Sequence, residues 1–130
     1  MSLSTIKTTL ETYIQTNWTT TSIQWQGVPF SSNGLTQWIG TKFVPVMNEV
    51  YAFDGSSCGR IEYNAQLQIF CYAKNPTKAI QLSDSIMTFL NGTQHSPNIT
   101  VGIGQVDSGA IDLENGIFEV MVWFEVNLYA

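Results

Sequence analysis

The residues that could do chemistry are few and scattered. The single histidine, His95, lies in Thr93-Gln94-His95-Ser96-Pro97. A Ser-His-Asp or Cys-His site needs its imidazole beside a nucleophile. Neither Cys58 nor Cys71 is near it in sequence, and no nucleophile-elbow motif is present. The expectation is a solvated loop histidine. Asp107, Asp112 and Glu114 cluster in one turn-rich segment. Such carboxylates can serve acid–base chemistry or hold a hard cation, but their spacing and glycine placement do not match a calcium loop, and turns favour Asp for backbone reasons. Gly102-Ile103-Gly104 has strand-forming neighbours, no following Lys-Ser/Thr and no helix after it, so it reads as a bulge or a close backbone approach. If one strand fills most of the interval between Cys58 and Cys71, their Cα atoms lie roughly 40 Å apart. A disulfide needs about 7 Å or less. Two free thiols in a reducing compartment are expected. No catalytic set, metal-ligand cluster or cofactor cradle can be assembled, so the chain is expected to be neither an enzyme nor a cofactor or metal carrier.

The elements around these residues are legible from periodicity. Ile6, Leu10, Tyr13 and Ile14 form one stripe of a helix from about Ser4, its expected cap, to Asn17. Ile23, Trp25 and Phe30 are assigned to a first strand, and Gln37 to Val46 to a second, where Pro45 suggests an edge or a bulge. Met47 to Gly59 reads as a loop that carries Val50, Tyr51 and Phe53. Arg60 to Tyr72 alternates: Ile61, Tyr63, Ala65, Leu67, Ile69 and Cys71 face one way and polar residues the other. Asn75-Pro76 opens a second helix with Ala79, Leu82, Ile86, Phe89 and Leu90 on its buried stripe, and Asn91-Gly92 ends it. Ile99, Val101 and Ile103 alternate in a short strand. Phe118 to Leu128 closes the chain with the strongest alternation, leaving Glu119, Met121, Trp123 and Glu125 facing outward. The predicted fold is α+β: a mostly antiparallel sheet of about five strands with two helices packed on one face, in one domain over residues 1–130.

Composition excludes several classes of function. Apolar residues make up 44% of the chain, enough for a globular core, while charged residues make up 12%, about half the usual share. Interface centres are depleted in charge, so much of this surface is expected to face other subunits. The net charge is −5 and no basic run exists, which argues against phosphate neutralisation and membrane-surface binding. No apolar run approaches a membrane span, and no basic segment followed by an apolar core opens the chain as a secretion signal would.

One stretch has a more specific pattern. Trp18-Thr-Thr-Thr-Ser-Ile-Gln-Trp25-Gln-Gly-Val-Pro-Phe30 follows a helix with a Trp, a hydroxyl-rich turn, and then apolar-x-Trp-x-Gly-x-Pro-Phe. It resembles the amino-terminal signature of tail terminator proteins, the tail-completion (minor tail) proteins of long-tailed bacteriophages and prophages. The resemblance extends over nearly the whole chain, through the long strand, the helix after an Asn-Pro turn and the terminal strand ending in an aromatic. Trp38 to Val46 matches the family's second strand only loosely. The resemblance implies a structural subunit that forms a closed hexameric ring on the end of the tail tube, stops its growth and provides the head-joining surface. The implied partners are copies of itself, the tube protein and head–tail connector proteins. DNA passes through the ring without specific binding, and the implied location is the virion tail, assembled in the host cytoplasm. Met47, Tyr51 and Phe53, in a loop that orders on assembly, and Trp38 and Trp123 on edge or outward positions are the interface candidates. The alternatives are a neighbouring head–tail connector or neck subunit, and a small ligand- or peptide-binding module with an aromatic pocket built from Trp18, Trp25 and Trp38.

Overall fold

Local sequence decides where the helices start and stop. Helix α1 (Leu3–Asn17) buries Ile6, Leu10 and Ile14 on one stripe, as its amphipathic spacing requires. Ser4 lies within its first turn instead of preceding it as a cap. Helix α2 (Pro76–Leu90) begins where Asn75-Pro76 directs it. The Asn75 side-chain oxygen accepts from the amides of Thr77 at 2.8 Å and Lys78 at 3.3 Å, satisfying donors that the first turn leaves free. Asn91 caps the other end, and Gly92 turns the chain away with a φ of +66°. The computed structural model describes residues 3–53, 59–96, 98–107 and 109–129, with backbone alone at 47–53, 59–62 and 129.

The described strands are β1 (Ser22–Gln24), β2 (Gln37–Phe53), β3 (Gly59–Ala73), β4 (Gln94–His95), β5 (Ile99–Val101), β6 (Gln105–Val106), β7 (Ile111–Asp112) and β8 (Phe118–Tyr129). They form one sheet in the order β1-β2-β3-β8-β5-β4, with β6 and β7 also paired to β8. The fold is α+β, as expected, but the sheet has eight strands in place of about five, and it is mixed. β1 runs parallel to β2, whereas every other described pairing is antiparallel. The additional strands, β4, β6 and β7, are two residues long each, too short to give a periodic signal. The first strand also ends early. Trp25 and Gly27 lie in a turn, with the Val28 amide donating to the Trp25 carbonyl, and Phe30 lies beyond it.

The largest correction concerns Met47 to Gly59. β2 continues to Phe53 and β3 begins at Gly59, so most of the expected loop is a hairpin paired from Met47↔Asn64 to Phe53↔Gly59. Register shifts fall between Pro45 and Met47 and between Val50 and Ala52. A register shift breaks a strand's period-two pattern, which hides the strand from a period-two reading. Pro45 therefore does mark an edge and a bulge: β1 pairs β2 only over Trp38 to Gly40.

Both helices contribute to one core on one face of the sheet. Ile6, Leu10, Ile14, Leu82, Ile86 and Leu90 join Ile39, Leu67, Ile69, Cys71, Val122, Phe124 and Val126 in a single buried cluster. The inward alternation expected for β8 holds from Val120 to Leu128. Cross-strand register puts Trp38, Gly40 and Lys42 of β2, Phe70 and Tyr72 of β3, and Glu119, Met121 and Trp123 of β8 on the opposite face.

Candidate functional site

The face opposite the helices and the two lateral edges of the sheet hold the features that could engage another molecule. At its β2 end this face carries an aromatic row. The Trp38 ring stacks on Tyr72 with centroids 5.2 Å apart and interplanar angle 19°, Phe30 lies 6.3 Å from Trp38, and Phe70 stacks beside Tyr72 at 6.5 Å. Tyr72 and Glu119 are direct cross-strand neighbours, which sets the phenol near the carboxylate. Burial, reinforced by the Glu119 charge, raises the Tyr72 pKa far above its ordinary value, so the phenol stays neutral.

Gly40 lies under this row. A Cβ built there would sit 3.3 Å from the Tyr72 ring, so a hydrogen is what lets the aromatic lie across β2. Between that floor and the turn after β1 is an open cleft of about 450 Å³, walled by Trp25, Val28, Phe70 and Tyr72, with Gln26 and Lys42 supplying polar groups. The Gln26 side-chain oxygen accepts from the Phe43 amide at 2.9 Å and so caps a backbone donor on the unpaired edge of β2. The cleft can hold apolar or aromatic side chains and offers one cation at its rim.

Of the candidate interface residues, Trp38 and Trp123 share the face opposite the helices but are not cross-strand neighbours. Trp38 is 4% exposed. Its surface is spent on Tyr72 and Phe30 of its own chain, which corrects the reading of it as an edge anchor. Trp123 is half-buried on the face opposite the helices, between Gln68 and Gln105 in register. The side chains of Met47, Tyr51 and Phe53 lie outside the described residues. A three-tryptophan pocket does not form either. Trp18 belongs to the helix-side core, 5.3 Å from Phe89, with its indole N–H donating to Thr21 at 2.9 Å. Trp38 lies on the other face, and Trp25 alone of the three lines the cleft.

The scattered polar residues have local roles. His95 is in β4 and half-buried, its ring edge-on to Tyr13 at 4.6 Å; it is not the solvated loop residue expected. Thr93 donates its single hydroxyl proton to the Leu90 carbonyl, so it accepts from His95 Nε2 at 3.0 Å. Burial lowers the His95 pKa. Cys71 is a free, buried thiol whose pKa burial pushes up to about 12, which makes it a poor nucleophile; Cys58 lies outside the described residues. The Asp112 carboxylate accepts from the Glu114 amide at 2.8 Å, the turn role expected of it. No group of three His, Cys, Asp or Glu among the described residues could hold a metal ion. No described helix is long and apolar enough to cross a membrane.

Sequence reading missed the exposed apolar edges. Among the described residues, seven large apolar side chains stand exposed. Val28 and Val46 lie beside β1 and β2; Ile103, Val106, Ile111 and Leu113 lie along β6 and β7; Ile80 is on α2. Apolar residues in a turn-rich segment drew attention to Tyr51 and Phe53, and Ile111 and Leu113 carry the same signal.

No protein-family model and no curated protein sequence matches this chain. Six chains of solved structures do match. One, from a protein whose name carries no statement of its role, has a TM-score of 0.60 at 13% sequence identity, over 98% of this chain and 95% of that one. At that identity the likeness shows a shared fold alone.

Proposed function

We propose that this chain is a structural assembly subunit that docks copies of itself into a closed ring at the end of a phage tail tube, where it halts tube growth and presents the head-joining surface. The observation that carries the reading is the exposure of apolar side chains on both lateral edges of one sheet, Val28 and Val46 on one side and Ile103, Val106, Ile111 and Leu113 on the other. A subunit in a closed ring needs two different, mutually complementary patches, because its contact is head-to-tail. The low charged fraction of 12% and the Trp18-to-Phe30 resemblance support the same reading. Reconstruction of tail-end particles by electron microscopy tests it. The expected result is density for this chain in the terminal ring. Its absence from that ring ends the proposal, and its presence in the neck makes it a head–tail connector subunit instead.

The aromatic cleft favours a second reading, a small ligand- or peptide-binding module. A compound that raises the melting point of a stable monomer and is displaced by Phe70→Ala would support that reading.

A further inference from the structure

We infer that the cleft beside β1 and β2 receives the 103–113 edge of a second copy of this chain. This deepens the proposed function and rests on its self-association half.

The described parts of the 103–113 segment, 103–107 and 109–113, are anchored to β8 and α2 while their apolar side chains stay exposed. The Gly102 amide donates to the Glu125 carbonyl at 2.8 Å, and the Gly104 amide to the Asn91 side chain at 2.7 Å. Gly104 packs so closely on Phe124 and Met87 that no Cβ fits. β6 meets β8 at Trp123 and β7 meets it at Glu119, so the two pairing points lie roughly 13 Å apart along β8. Ile103 is 67% exposed, and Val106, Ile111 and Leu113 are also exposed. The same segment contributes Asp107 and Asp112, and Glu114 follows it directly, all exposed.

The opposite edge is complementary. Its cleft of about 450 Å³ has apolar and aromatic walls; Val28 in its wall and Val46 farther along β2 are more than half exposed. Among the described residues, Lys42 is the one charged residue lining the cleft, opposite in sign to Asp107, Asp112 and the adjoining Glu114. The backbone at this edge is already blunted by Gln26 on the Phe43 amide and by Pro45, so contact is made through side chains entering the cleft. Because the 103–113 segment and the cleft lie on different edges of the same sheet, each docking leaves one of each free, and the chain of contacts continues until it closes.

Cross-linking tests the pairing directly. In a Cys58→Ser background, Val28→Cys and Ile111→Cys variants are mixed and treated with a short bis-maleimide; Val46→Cys with Leu113→Cys is a second pair, and Ile80→Cys on α2 is the control. At least one mixed pair is expected to give on the order of tenfold more covalent dimer than the control, because docking raises the local thiol concentration. The double variant is expected to give a ladder ending at a closed species. Both pairs at the control level overturn the inference, as does Val28→Cys coupling preferentially to itself, which would mean a symmetric dimer. Control-level cross-linking with terminal rings still present on tails removes this pairing and leaves the ring. A strong cross-link with the chain absent from tails removes the phage role and leaves the pairing.

Discussion

At the residue scale, two side-chain sites make measurable predictions. An ideal Cβ at Gly104 would lie 2.6 Å from Phe124 Cε1 and 2.9 Å from Met87 Cγ, and the Phe124 ring has no exposed surface into which to retreat. Gly104→Ala should therefore destabilise the fold by about 1–3 kcal/mol, the usual cost of overpacking, read as a lower urea midpoint at unchanged slope. His95 makes a prediction in pH. Its native pKa is lowered by burial, so on acidification through the ordinary histidine value the unfolded chain takes up a proton first and stability falls, until the native ring also protonates. Melting temperature should therefore drop from pH 7 to pH 5 more steeply in the wild type than in His95→Phe, which keeps a ring against Tyr13 but has nothing to titrate. Equal slopes would remove His95 from the pH response.

At the element scale, the edge of β2 is the informative feature. An unpaired edge invites intermolecular strand addition, and this one is managed in three stages. β1 covers Trp38 to Gly40, Gln26 occupies the Phe43 amide at 2.9 Å, and Pro45 takes the next outward-facing position. Outward amides recur at every second residue of such a strand, and proline has none to offer. Pro45→Val would return a free donor beside exposed Val46. The expected outcome is faster aggregation on mild heating, followed by light scattering; an unchanged rate would mean that proline at this edge has no protective role. Element boundaries were legible wherever the signal was local. Asn75-Pro76 and Asn91-Gly92 bracket α2 because cap chemistry involves neighbours in sequence. The continuation of β2 to Phe53 was not legible, because the two register shifts interrupt its alternation.

At the scale of the whole molecule, the arrangement separates a buried side from surfaces left for contact. Both helices are used on one face of the sheet, the aromatic row occupies part of the other, and the lateral edges keep their apolar side chains exposed. That distribution is what the docking role proposed above would use. The amino-acid order by itself determined the α+β class, both helices, the inward face of β8 and the depletion of charge, because each follows from neighbour spacing or composition. Only the tertiary structure decided that Trp38 is covered by Phe30 and Tyr72, that Trp18, Trp25 and Trp38 fall in different environments, and that Val28 and Ile111 lie on different edges of one sheet. Those outcomes depend on which strands pair and in what register, a choice made by contacts between residues far apart in the chain, and periodicity within one segment carries no information about it.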